Sequence, residues 1–221
     1  CVWAEVLGAE RVGVHDNFFT LGGDSILSIQ VVSRARQAGL RLSSKDIFQH
    51  QSIAELATVV SVGGPAGAMM RQVTGPAPLT PIQQWFVEHE PVHRNHFAMS
   101  MLVDLPADLD RTVLAAALDA VAVHHEALRM RLQHGPAGWT QQPADDTGVP
   151  LAVHDLAAVG DAELPAALDR HALQAQQGLD ITGGPMLRAV LFLLGNGRPP
   201  RLLLVVHHLV VDGVSWRILL A

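Results

Sequence analysis

The 221-residue chain has one cysteine, Cys1, so it cannot form an internal disulfide, and nothing in its cysteine usage points to an oxidising compartment. Charged residues make up only 16% of it, and the net charge of −6 gives no basic stripe, which argues against nucleic acid as a partner. Long apolar runs are missing too. Ala189–Leu194 and Leu202–Val206 fall far short of the ~20 residues that span a bilayer, and no charged-then-apolar leader opens the chain. Membrane association is not expected, and the cytoplasm is the default location. What the chain does have is core material, with 49% hydrophobic residues in a length that suits one or two domains. Both ends read as cut. Val2–Leu7 resembles mid-helix with no cap before it, and Val214–Ala221 stops inside an apolar segment.

The pattern changes along the chain. Residues 1–61 read as a small helical bundle: a helix from Ser25 to Ala38 with Gly39 after it, a short turn capped by Ser44, and a helix capped by Ser52 running to Val60. Residues 62–78, rich in Gly and Pro, read as a linker. From 79 to 221 the pattern mixes helices with strands: helices at Leu79–Glu90, Asp108–His125 and Ala162–Gln177, and strands at His96–Leu105, Leu151–His154, Met186–Leu194 and Arg201–His207. A hairpin is expected around Gly135-Pro136. In the Asp108–His125 helix, Leu109, Val113, Leu114, Leu118 and Val121 are expected to face inward. Such a mixture predicts an α/β or α+β layered domain.

Two segments carry chemistry. In Asp16–Ile26, Gly22 and Gly23 allow a sharp turn that leaves Ser25 at a helix start, where free N–H groups and the helix dipole favour a phosphate. The plainer alternative makes Ser25 a helix cap. Phe18-Phe19 followed by Leu21-Gly22-Gly23-Asp24-Ser25-Ile26 resembles the phosphopantetheine attachment motif of peptidyl carrier proteins. Trp3–Gly8 and Ile47–Leu56 extend that resemblance over residues 1–61. It implies a 4′-phosphopantetheine arm on Ser25 that holds an amino acid as a thioester. Asp24 resembles the residue found there in carriers that feed an epimerization domain.

The second segment is His207-His208-Leu209-Val210-Val211-Asp212-Gly213, at the end of an apolar strand. A core histidine, a metal site and chance in a chain with 12 histidines all compete as explanations. Neighbouring residues on a strand face opposite ways, which disfavours chelation of one metal by the pair. A histidine near neutrality suits proton transfer, although a base alone is not enough for an α-proton beside a thioester, because the developing charge must also be stabilised. The heptapeptide resembles the HHxxxDG signature of condensation, epimerization and chloramphenicol acetyltransferase-like domains. The resemblance implies His208 as the catalytic residue, Asp212 as a structural charge, Gly213 as the turn into a helix and His207 as a packing residue. No metal is implied.

Pro81-Ile82-Gln83-Gln84-Trp85-Phe86 and His124-His125-Glu126-Ala127-Leu128-Arg129-Met130-Arg131 resemble epimerization-domain motifs, and Val214–Leu219 extends the histidine motif in the same way. The whole is similar to a segment of a non-ribosomal peptide synthetase. It implies a multidomain chain: a small all-α carrier bundle, then the N-terminal half of an α/β chloramphenicol acetyltransferase-like domain. The family's partner glutamate lies in the second half, so Glu88, Glu90 and Glu126 are assigned no catalysis. With only half a domain, Leu202–Val206 is expected to have one face poorly covered. The implied partners are an upstream adenylation domain, a downstream condensation domain, a phosphopantetheinyl transferase and the aminoacyl or peptidyl thioester. The implied activity is epimerization from L to D. The alternatives are condensation-type amide-bond formation, or a carrier and docking module without catalysis.

Overall fold

The computed structural model describes residues 2–62, 75–90, 92–195 and 197–220. They fall into two compact units, Cys1–Gln72 and Val73–Ala221. Most of the linker expected at 62–78 lies outside the described residues. Its margins are not structureless, since Val62 and Ala77–Pro78 belong to short strands.

The first unit holds α1 (Val2–Leu7), α2 (Ser25–Gln37), β1 (Leu40–Arg41), α3 (Ser44–Gln49), α4 (Ile53–Val59) and β2 (Ser61–Val62). The helices meet on Trp3, Phe18, Val31, Ile47 and Leu56. The antiparallel pair β1–β2 is an addition to the expected all-helical bundle. Ser43, not Ser44, caps α3, and it does so reciprocally with Asp46; Ser52 and Glu55 form the same capping box on α4.

The second unit runs β3 (Ala77–Pro78), α5 (Pro81–His89), β4 (Ala98–Asp104), α6 (Arg111–His124), β5 (Met130–Gly135), β6 (Gly138–Pro143), β7 (Leu151–Asp155), α7 (Leu164–Gln177), β8 (Leu187–Leu193), β9 (Arg201–His207) and α8 (Gly213–Leu219). One sheet has the order β4-β9-β8-β7, antiparallel except for the β7–β8 pair; a smaller one has the order β3-β6-β5.

The apolar runs of β8 and β9 arise because helices cover both faces. Leu187, Ala189, Leu191, Leu202, Leu204 and Val206 pack with Leu114 and Leu118 of α6 and Trp216 of α8. The alternate residues Val190, Phe192, Leu203 and Val205 pack with Ala167 and Ala175 of α7. Every residue from Leu202 to Val206 is buried, so the expectation of a poorly covered face is wrong. On α6, Leu114, Leu118 and Val121 pack on this core as expected, as does Leu109 just before the helix, together with the buried Ala122; only Val113, a quarter turn from Leu114, is corrected, being 63% exposed. Among the described residues no helix is long and apolar enough to cross a membrane.

Candidate functional site

The loop before Ser25 is tied down residue by residue. Asn17 Oδ1 accepts from the N–H groups of Phe19 and Thr20 at 2.9 and 3.1 Å, and its amide donates to Gln51 Oε1 at 2.8 Å. Phe18 is fully buried, edge-on to Trp3 and Phe19. Gly22 has φ +92°, a conformation that suits glycine. Gly23 has another reason to be glycine. A Cβ there would sit 2.5 Å from the Phe18 ring and 2.6 Å from its carbonyl oxygen.

Asp24, not Ser25, is the cap of α2. Its Oδ1 accepts from Ile26 N–H at 2.8 Å and Leu27 N–H at 2.7 Å. This corrects the reading of Ser25 as the helix cap. The residue stands in the first turn, exposed, and its hydroxyl has no hydrogen-bond partner among the described residues. Two of the amides expected to receive a phosphate are already taken by a carboxylate. Ser25 fits a covalently attached arm because it is open to solvent at the start of α2, directly after an anchored loop.

In the second unit, His207 is the last residue of β9 and His208 begins the turn beyond it, so strand alternation does not separate the two rings. Their hydrogen bonds do. His207 is fully buried; its Nε2 donates to the Arg94 carbonyl at 2.6 Å and its Nδ1 accepts from Leu209 N–H at 3.1 Å. Burial pushes its pKa below the ordinary histidine value and outweighs the opposing pull of the Arg94 carbonyl; His208 lowers it slightly further. This ring is a neutral structural member with one fixed tautomer.

His208 is half-buried and stacked on Phe97 at 4.7 Å. Its Nδ1 lies 2.8 Å from the Val211 carbonyl. A carbonyl only accepts, so Nδ1 carries the proton and the neutral ring keeps its lone pair on Nε2. The residue lines a cleft of about 630 Å³ with Ile82, Trp85, Phe86, Met130 and Leu209. Asp212 caps α8, its Oδ1 accepting from Ser215 Oγ at 2.6 Å and Ser215 N–H at 2.7 Å. Those two bonds hold its carboxyl below the usual range, with a smaller contribution from His208. Asp212 is exposed and fixes the local geometry as a helix cap, and Gly213 has an ordinary φ with open space where a Cβ would be, so no glycine turn is needed here.

The structure thus brings His207, His208 and Asp212 into one turn, and Asp24 and Ser25 into the other unit. Among the described residues no histidine, cysteine or carboxylate cluster could hold a metal ion. The motif at 124–131 contributes Ala127 and Met130 to the cleft, whereas Arg129 donates to the carbonyls of Ala122 and Ala144. Sequence reading missed Phe97, and it missed two buried glutamines on the cleft, Gln83 and Gln141. Gln83 lay in a quoted motif, on the core face of α5; Gln141 carried no signal.

Comparison with known proteins assigns both units. Residues 1–60 match the phosphopantetheine attachment site family and residues 73–221 the condensation domain family. The first match means that the carrier takes 4′-phosphopantetheine on a serine. One of the linear gramicidin synthase proteins of Brevibacillus parabrevis is 47% identical over 99% of this chain, which spans 4% of that protein. The epimerization domain from the third module of a tyrocidine synthetase is 31% identical, with a TM-score of 0.60 over 66% of this chain and 33% of that one. The starter condensation domain of rhizomide synthetase shares the fold, with a TM-score of 0.57 at 19% identity over 66% of this chain and 36% of its own. With each unit matched along its length, the chain belongs to the condensation-domain family of non-ribosomal peptide synthetases, preceded by a phosphopantetheine carrier domain.

Proposed function

We propose that this chain presents an aminoacyl or peptidyl thioester on an arm attached to Ser25, and that the domain after it epimerizes the α-carbon from L to D with His208 as proton carrier. The arm supplies a thioester, whose carbonyl acidifies the neighbouring C–H. The observation that carries the reading is the His208 Nδ1–H bond to Val211, which leaves the lone pair on Nε2 of a ring that lines a largely apolar cleft. Ser25 is the serine proposed for the arm, being exposed and unbonded at the head of α2. His207, with both nitrogens engaged, orients the turn. Asp24, the 81–86 and 124–131 motifs and the epimerization-domain neighbour favour epimerization over amide-bond formation.

The partners follow from the reading: an adenylation domain upstream, a condensation domain downstream, and a phosphopantetheinyl transferase acting on Ser25. The test is deuterium washout from an α-deuterated aminoacyl thioester in the synthetase that carries this segment. His208→Ala is expected to lose roughly 10²–10⁴-fold in exchange while Ser25 loading, read by intact mass, is unchanged. Exchange at the wild-type rate would remove His208 from the chemistry. A peptide product with unchanged configuration would favour the condensation reading, in which the same nitrogen takes a proton from the attacking amine.

A further inference from the structure

Two buried amides stand behind the histidine turn. Gln83, on α5, is 8% exposed and Gln141, on β6, 9%. Gln83 Oε1 accepts from Thr80 N–H at 2.9 Å and from Gln141 Nε2 at 3.0 Å, and its Nε2 donates to the Leu209 carbonyl at 3.1 Å. Gln141 Nε2 also donates to the Pro78 carbonyl at 3.1 Å. These partners fix both amides. Turning Gln83 over would set its NH₂ against two donors and its oxygen against a carbonyl. We infer that Gln83, held by Gln141, is a positioning residue that sets the ring of His208 through the Leu209 carbonyl. The inference rests on the proton-carrying role proposed for His208.

The turn shows how. Leu209 follows His208 directly, and both of its backbone groups are engaged: its N–H by His207 and its carbonyl by Gln83. His208 N–H is held by the Phe97 carbonyl and Val210 N–H by the His207 carbonyl. The His208 ring then reaches forward to Val211, so its direction depends on the path of the chain through Leu209 and Val210. Gln83 is the side-chain donor from α5 that holds this path at its midpoint. An apolar residue would fill the same space but would leave the Leu209 carbonyl without that bond, and a buried hydrogen bond gives direction as well as energy.

Gln83→Glu is measured at a pH where the new carboxyl is ionised, because the carboxylate still accepts from Thr80 and Gln141 but no longer donates to Leu209. Two measurements are made: the ring tautomer of His208 by heteronuclear NMR in this chain, and α-proton exchange in the synthetase loaded on Ser25. Gln83→Glu is expected to mix the two tautomers of His208, leave the tautomer of His207 unchanged, and slow exchange roughly 10²-fold at unchanged loading. Gln141→Met, which frees Gln83 without adding charge, is expected to act in the same direction by less, and it stands in for Gln83→Glu if that variant does not fold. Slowed exchange with an unaltered His208 tautomer would overturn the inference, as would a Gln83→Glu variant unchanged in both measurements while His208→Ala is inactive. If His208→Ala still exchanges at the wild-type rate, the proposed function falls, and the tautomer measurement alone decides whether Gln83 positions the ring.

Discussion

Replacing His207 tests the division of labour between the two histidines. The ring is fully buried beside Phe86 and Phe97 and hydrogen-bonded through both nitrogens. Truncating a buried ring to alanine costs roughly 3 kcal/mol through lost packing and a residual cavity. His207→Ala also strands the Arg94 carbonyl and the Leu209 amide, at ~1–3 kcal/mol each. A loss of about 5–9 kcal/mol rivals the whole stability of a domain, ~5–15 kcal/mol, so poor soluble yield is expected. Graded variants are more informative. His207→Phe fills the space but strands both groups. His207→Gln can still donate to Arg94, and His207→Asn can still accept from Leu209, so each is expected to unfold between wild type and His207→Ala. Urea unfolding followed by tryptophan fluorescence reports this, with the buried Trp216 in the second unit and Trp3 in the first. Acid adds a second signature. Because burial holds the folded pKa of His207 below the unfolded value of about 6.5, its contribution is fully present above pH ~6.5. It is lost as pH falls from there toward the folded pKa. His207→Phe, which cannot titrate, is expected to flatten that slope. Wild-type stability in His207→Ala, with exchange abolished, would refute the reasoning and move the proton chemistry to His207.

The two glycines before Ser25 are expected to differ. Gly23→Ala drives a Cβ into the Phe18 ring and carbonyl and should lower the melting temperature of the first unit more than Gly22→Ala, which meets open space and bears only the strain of φ +92°, ~1–2 kcal/mol; the reverse order would show that the Phe18 contact is not what fixes the turn. Asp212→Ala should cost about 1 kcal/mol as a lost helix cap and slow exchange less than His208→Ala. Equal loss of exchange in the two variants would make Asp212 part of the chemistry.

The helices and strands of the second unit were largely legible because their periods were clean. Asp108–His125 and Arg201–His207 differ from the observed elements by a few residues at most. What the periods did not carry was coverage. A run such as Leu202–Val206 reads alike whether one face or two are packed, and only the placement of α6 and α7 shows that both are. The motifs singled out Ser25, His207 and His208 as candidates, but not the bonds that tell the two histidines apart. Those bonds go to backbone carbonyls at Arg94 and Val211, and a carbonyl has the same sequence signature at every residue. Gln83 and Gln141 were hidden for a related reason. Their value lies in partners brought together by tertiary structure, such as the Leu209 carbonyl 126 residues from Gln83.

In both motifs the acidic residue beside the one proposed to react does geometric work. Asp24 closes the first turn of α2 and Asp212 the first turn of α8, each accepting from amides two or three residues ahead. The consequences for the neighbours differ. At Ser25 the carboxylate occupies amides that would otherwise attract a phosphate, so an arm attached there is tethered by its covalent bond without being gripped by the helix end. That suits a carrier whose cargo must reach other sites. At His208 the cap starts α8 immediately after the turn and so fixes where Val211 places its carbonyl, the group that chooses the tautomer. Gln83 holds the same turn at Leu209 from α5. A ring set from both ends of a five-residue turn has little freedom to exchange its tautomer, and in the role proposed for His208 a base already held in its tautomer before substrate arrives does not have to reorganise during the reaction.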